Sequence, residues 1–144
     1  MRNILCGFVI VLMSFSVMAE HHGVEKVKKG AKNAALHAAI KAFDHAYANN
    51  DVEDYFGFYA GDATVFVGDE RVDMAAYHKM WIDLMAAGGG VELNEMSDLQ
   101  VRVMPNGDVA VATSFIDNRT RSPDGTTSMS RAYETDLWQM VDRK

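Results

Sequence analysis

Apolar residues in the first half of the chain recur at helical spacing. Leu36, Ile40, Phe43 and Tyr47 form one stripe among closely spaced alanines, the pattern of a helix laid on a core. The helix is expected to stop at Asn49-Asn50. Asp51 then stands where it can cap a second, short helix, with Asp54 near its positive end and Val52, Tyr55, Phe56 and Tyr59 as its apolar residues. Thr64-Val65-Phe66-Val67 reads as a brief strand, followed by a Gly68-Asp69 turn. Asp73 caps a third helix with Tyr77, Met80, Trp81 and Leu84 on one face, and Gly88-Gly89-Gly90 ends it.

Beyond residue 90 the period shortens. Residues 91–104 read as a strand, broken or bulged near Ser97-Asp98; residues 109–119 and 126–140 read as two more. Pro105-Asn106-Gly107-Asp108 and Ser122-Pro123-Asp124-Gly125 are the turns between them. Helices first and hairpin-linked strands afterwards predict an α+β fold, its helices covering one face of an antiparallel sheet. On the middle strand, Val109, Val111, Thr113 and Phe115 are bulkier than Ala110, Ala112 and Ser114; the bulky set is expected to line the interior. On the last strand, Glu134, Asp136 and Trp138 share a face. If that face looks inward, the interior holds two carboxylates and an indole, which Arg119 or Arg131 could partly neutralise.

The extreme N-terminus does not belong to this pattern. Arg2 precedes an almost unbroken apolar run over residues 4–17, and Val17-Met18-Ala19 offers the small residues a signal peptidase reads. The run falls short of the roughly 20 apolar residues of a membrane span. The expected organisation is a signal peptide over 1–19, a basic lead-in over 20–33 and one domain over 34–144. A periplasmic or secreted location is expected, with no stable membrane span after cleavage. Cleavage removes Cys6, the single cysteine, so thiol catalysis and disulfides are excluded.

At 49% hydrophobic and 24% charged, the composition is that of a globular protein. The net charge of −6 understates the acidity of the domain, where nine Lys and Arg from residue 34 onward face eighteen Asp and Glu. Such a surface repels phosphate backbones, which excludes nucleic acid as a partner. His37, His45 and His78 have no zinc-binding spacing, and no motif calls for a cofactor. One metal possibility depends on cleavage: an N-terminus Glu20-His21-His22 would offer four nitrogens in a plane, suited to Cu(II) or Ni(II).

Three segments carry a family likeness: Tyr47-Ala48-Asn49-Asn50-Asp51, then Tyr59-Ala60-Gly61-Asp62-Ala63-Thr64-Val65, then Tyr133-Glu134-Thr135-Asp136-Leu137-Trp138. In order and spacing they resemble the nuclear transport factor 2-like (NTF2-like) superfamily. That group includes ketosteroid isomerase, SnoaL-like polyketide cyclases, scytalone dehydratase and the association domain of calcium/calmodulin-dependent kinase II. The resemblance implies a cone: three N-terminal helices packed on a strongly curved, mostly antiparallel sheet, around a largely apolar cavity.

It also allows a residue-by-residue comparison with the isomerase, which uses a Tyr and a protonated Asp as its oxyanion hole and a second Asp as its base. The oxyanion Tyr falls on Phe43 and the base on Val67, neither able to move a proton. The oxyanion Asp falls on Asp136, which is retained. The resemblance thus implies a binder of a small, largely apolar molecule that lacks the complete isomerase set. Phe43, Tyr47, Val67, Glu134 and Trp138 would line its pocket. An alternative is a lyase, cyclase or isomerase with Asp136 as general acid or base; another is a dimeric assembly module, since many relatives are symmetric homodimers. Relatives place one more strand after the turn that follows Trp138. Here a last strand is expected to be missing, so that either the chain continues past Lys144 or another chain completes the sheet.

Overall fold

The computed structural model describes the backbone of residues 9–15 and 25–141 and the side chains of residues 33–141. The elements are β1 (Val9–Phe15), α1 (Glu25–Ala48), α2 (Val52–Gly57), β2 (Thr64–Val67), β3 (Glu70–Asp73), α3 (Met74–Ala86), β4 (Gly90–Val103), β5 (Val109–Arg121) and β6 (Thr127–Met140). The cleavage segment at Val17-Met18-Ala19 and the His21-His22 pair lie outside the described residues. Among the described residues no helix is long and apolar enough to cross a membrane.

Local chemistry sets most of the boundaries. Asn50 ends α1 at φ 59°, a left-handed value that Asn tolerates better than most residues. The Asp51 carboxylate accepts from the Asp54 N–H at 3.1 Å, and Asp73 accepts from the Ala76 N–H at 2.8 Å. These are N-cap bonds that satisfy helix donors otherwise left open. The β4–β5 pairing slips between Ser97 and Gln100, with Asp98 at φ 52°, so the expected bulge is present. After the Gly68-Asp69 turn, β3 pairs with β2 as a short antiparallel hairpin, a strand the sequence reading did not include.

The larger sheet has the order β1-β6-β5-β4, antiparallel except for β1, which runs parallel to β6. The fold is therefore α+β, as expected, and the sheet is an open one. The position beside β6, expected to lack a strand, is taken over Glu134–Met140 by Val9–Phe15. That apolar, β-branched segment suits a strand that needs a partner edge.

The helices lie on the face of the sheet that carries the smaller β5 residues, which corrects the sequence expectation. Ala110, Ala112, Ser114, Ile116 and Asn118 are buried; Val109, Val111 and Thr113 are half-buried on the opposite face, and Phe115 is exposed there. The reason is volume. Leu36, Ile40 and Phe43 of α1 fill the interior together with Tyr55, Val65 and Trp138, and only a floor of small residues lets them approach the strands at close-packed density.

One side chain fastens the end of α1 to the start of β4. Asn50 accepts from the Val91 N–H at 2.7 Å through its Oδ1 and donates to the Val91 carbonyl at 2.9 Å. Val91 is buried, so both backbone groups would otherwise lack a partner. A Cβ on Gly90, at φ 145°, would stand 2.7 Å from the same Oδ1. We expect Asn50→Gly, which keeps the left-handed turn but loses both bonds, to destabilise the protein by about 2 kcal/mol in urea denaturation. Asn50→Ala should cost more, because it also strains the turn.

Candidate functional site

Strand β6 supplies the centre of the site. Its register sets Glu134 opposite Ser114, Asp136 opposite Ala112 and Trp138 opposite Ala110, all on the helix-facing side. Trp138 is fully buried and its ring meets Phe43 edge-on at 6.0 Å. Phe43 also stacks on Tyr55 at 4.8 Å and is 5% exposed. These two residues form a packed floor. Val67, on β2, is half-buried against the same core.

Asp136 sits above that floor at 5% exposure, and its Oδ1 has no hydrogen-bond partner among the described residues. Burial drives its pKa well above the ordinary carboxylate value, and the nearby Glu134 raises it further. Burial likewise raises Glu134 to about 7, with Asp44 of α1 adding repulsion. Asp44 is itself raised by burial, an effect opposed by the hydrogen bond from Asn94 and by His45. Both shifts favour the protonated form.

Two polar networks surround the pair. In the first, Asn94 donates to Asp44 at 2.6 Å, and Asn118 donates to the Asn94 side-chain oxygen at 3.0 Å and to the Tyr47 hydroxyl at 3.3 Å. In the second, the Tyr59 hydroxyl donates to that of Tyr55 at 2.6 Å, and Tyr55 and Tyr77 share a bond at 3.1 Å. Burial raises all four phenols, so they stay protonated; Glu134 raises Tyr47, Tyr59 and Tyr77 further, and Asp136 raises Tyr59.

Glu134, Tyr47, Tyr59 and Tyr77 lie deep enough for burial to dominate their titration, yet each keeps part of its surface accessible. Trp138 and Val65, at 0%, are simply packed. Two cavities are lined by described residues: one of about 10 Å³ beneath α1, and an open groove of about 380 Å³ on the outer sheet face. Neither includes Glu134 or Asp136.

The structure thus brings Asp136, Glu134 and Tyr47 together over Phe43 and Trp138. It does not bring in the arginines considered as neutralising partners. Arg119 pairs with Glu92 at 3.2 Å and Arg131 with Asp117 at 2.8 Å. On their strands both have the odd parity of the outer face, so neither can reach the carboxyl pair. Sequence reasoning missed Asp44, Asn94 and Asn118, and took Tyr55 and Tyr59 as core only. One signal was available for Asp44: it lies four residues after Ile40, on the buried stripe of α1.

The raised Glu134 sets a sign for pH dependence. Its folded pKa exceeds the unfolded value, so the folded state binds the extra proton between about pH 4.5 and 7. Stability contributed by the protonated form is full below that window and is lost as pH rises through it. Glu134→Gln should flatten this decline and stabilise the protein at pH 8 by the order of 2–3 kcal/mol, readable in thermal melts across the pH range.

Residues 36–141 match the SnoaL-like domain family. No curated protein matches the chain. Among solved structures, an NTF2-like protein with a cystatin-like fold from Novosphingobium aromaticivorans has a TM-score of 0.51 at 15% identity, over 79% of this chain and 85% of that one. A ketosteroid isomerase-like protein from Erwinia carotovora atroseptica has a TM-score of 0.49 at 15% identity, over 72% and 94%. The Novosphingobium likeness carries the fold alone, which is NTF2-like.

Proposed function

The chain belongs to the SnoaL-like domain family, and from that premise we propose that it binds a small, largely apolar molecule beside Glu134 and Asp136. One observation carries the reading: a buried carboxyl, Asp136, whose Oδ1 has no partner within the described protein, lies beside Glu134 and Tyr59, both of which keep part of their surface accessible. A buried polar atom without a partner is costly and rare in a native structure. A ligand atom that bonds to it would remove that cost.

The isomerase reaction is not part of the proposal. Phe43 and Val67 stand where that enzyme's Tyr and base fall, and neither side chain can exchange a proton. The catalytic alternative is confined to what remains. Asp136, whose burial favours the protonated form, can donate a proton or a hydrogen bond to a ligand oxygen, and Glu134, raised to about 7, can accept or release one. Tyr47 would then hold the ligand as a hydrogen-bond donor.

Export belongs to the same reading. Arg2, the apolar run over 4–17 and Val17-Met18-Ala19 support a cleaved leader, a mature chain starting at Glu20 and a periplasmic or secreted location. Cleavage there would remove β1 and uncover the edge of β6 over 134–140. A homodimer is favoured by the outer sheet face, where Phe115, Tyr133 and Met129 are 38%, 42% and 66% exposed and the first two rings touch at 5.4 Å.

The test is native mass spectrometry of the protein before and after incubation with a metabolite extract, alongside Asp136→Asn. A small molecule retained by the wild type and lost from a folded Asp136→Asn variant is the expected result. Equal retention by both would remove Asp136 from the site.

A further inference from the structure

We propose that the ligand of this site is an organic cation: a largely apolar amine whose protonated nitrogen enters beside Asp136 and Glu134, with its body against the tyrosine rings. This rests on the binding reading above and adds the charge of the ligand to it.

The first support is where the protein keeps its own cations. From residue 33 to residue 141, every Lys, Arg and His is exposed. The pairs they make, Lys79 with Asp83, Arg119 and Arg121 with Glu92, and Arg131 with Asp117, are all at the surface. Three carboxyl groups, in contrast, point into one region: Asp44 from α1, and Glu134 and Asp136 from β6. Interior charges are ordinarily paired. Here three acids share one region, and the basic side chain that acts on one of them, His45 beside Asp44, is itself exposed.

The groups that face the pair from each packed element point the same way. α1 contributes Asp44 and Tyr47, α2 contributes Tyr55, the segment after α2 contributes Tyr59, and α3 contributes Tyr77. β5 contributes Ala112 and Ser114, which do not titrate, and the β1 segment contains no charged residue. Aromatic faces attract cations, the more so when desolvated. An anionic ligand would meet repulsion from the three acids, with only the exposed His45 beside Asp44 to set against it. A neutral ligand could bond to one carboxyl but would leave the repulsion among the three in place. A cation relieves that repulsion and gives the Asp136 Oδ1 a donor.

The experiment compares two isosteric probes, cyclohexylmethylamine and cyclohexylmethanol, by calorimetry on the full chain at about pH 7.5. They share an apolar body and differ in charge. The amine should bind roughly tenfold or more tightly than the alcohol, the margin expected for a charge-assisted bond. Its affinity should rise from about pH 5.5 to 8 as Glu134 loses its proton. Asp136→Asn should weaken the amine roughly tenfold, and by more than it weakens the alcohol. If the alcohol binds as well as the amine, the cation proposal is overturned while the binding site stands. If neither binds, both readings fail together.

Discussion

The small side chains of β5 decide how closely α1 approaches the sheet, and the site depends on that distance. Ala110 and Ala112 present almost no volume to the helix, so Phe43 and Ile40 settle directly over the strands. Trp138, opposite Ala110, is sealed by that contact, and Asp136, opposite Ala112, is sealed beside it. An alanine offers a carboxyl group no hydrogen bond. The packing that builds the core therefore also buries Asp136 and denies it a cross-strand side-chain partner, which is what favours its protonated form.

Electrostatics and packing then act on each other. Burying acids together costs stability, and the fold limits that cost in two ways. Burial raises both Asp136 and Glu134, which favours their protonated forms and lowers the charge the interior holds. The third acid, Asp44, is held by the Asn94–Asn118–Tyr47 chain, whose amides and hydroxyl satisfy one another as well as the carboxylate. The stacked and edge-on rings of Phe43, Tyr55, Tyr59 and Tyr77 supply the apolar contact that offsets the remainder. This arrangement trades stability for groups able to exchange protons near pH 7, a common property of functional sites.

How much of this was legible in the sequence follows from how local each signal is. Asp51 and Asp73 announce helix starts because a cap bonds within three residues. Asn50, the bulge at Asp98 and the Asn106-Gly107 turn are equally local. Period two correctly groups Glu134, Asp136 and Trp138, but period alone does not say which face of a strand looks inward. The bulky face of β5 is a reasonable guess until the size of the α1 side chains is counted. Asp44, Asn94 and Asn118 were hidden for another reason: their bonds join residues 50 and 24 positions apart, and only the folded register brings them together. The pairing of Val9–Phe15 with β6 was also beyond reach, because an apolar run that reads as a leader carries no mark of which edge it suits.

The central claim is that burial in this fold favours the protonated form of Asp136. Infrared difference spectroscopy of wild type against Asp136→Asn tests it directly, because a protonated carboxyl absorbs apart from a carboxylate. The account predicts a protonated-carboxyl band at pH 7 that disappears in the variant. A carboxylate band lost instead would show that Asp136 is ionised and would contradict the account.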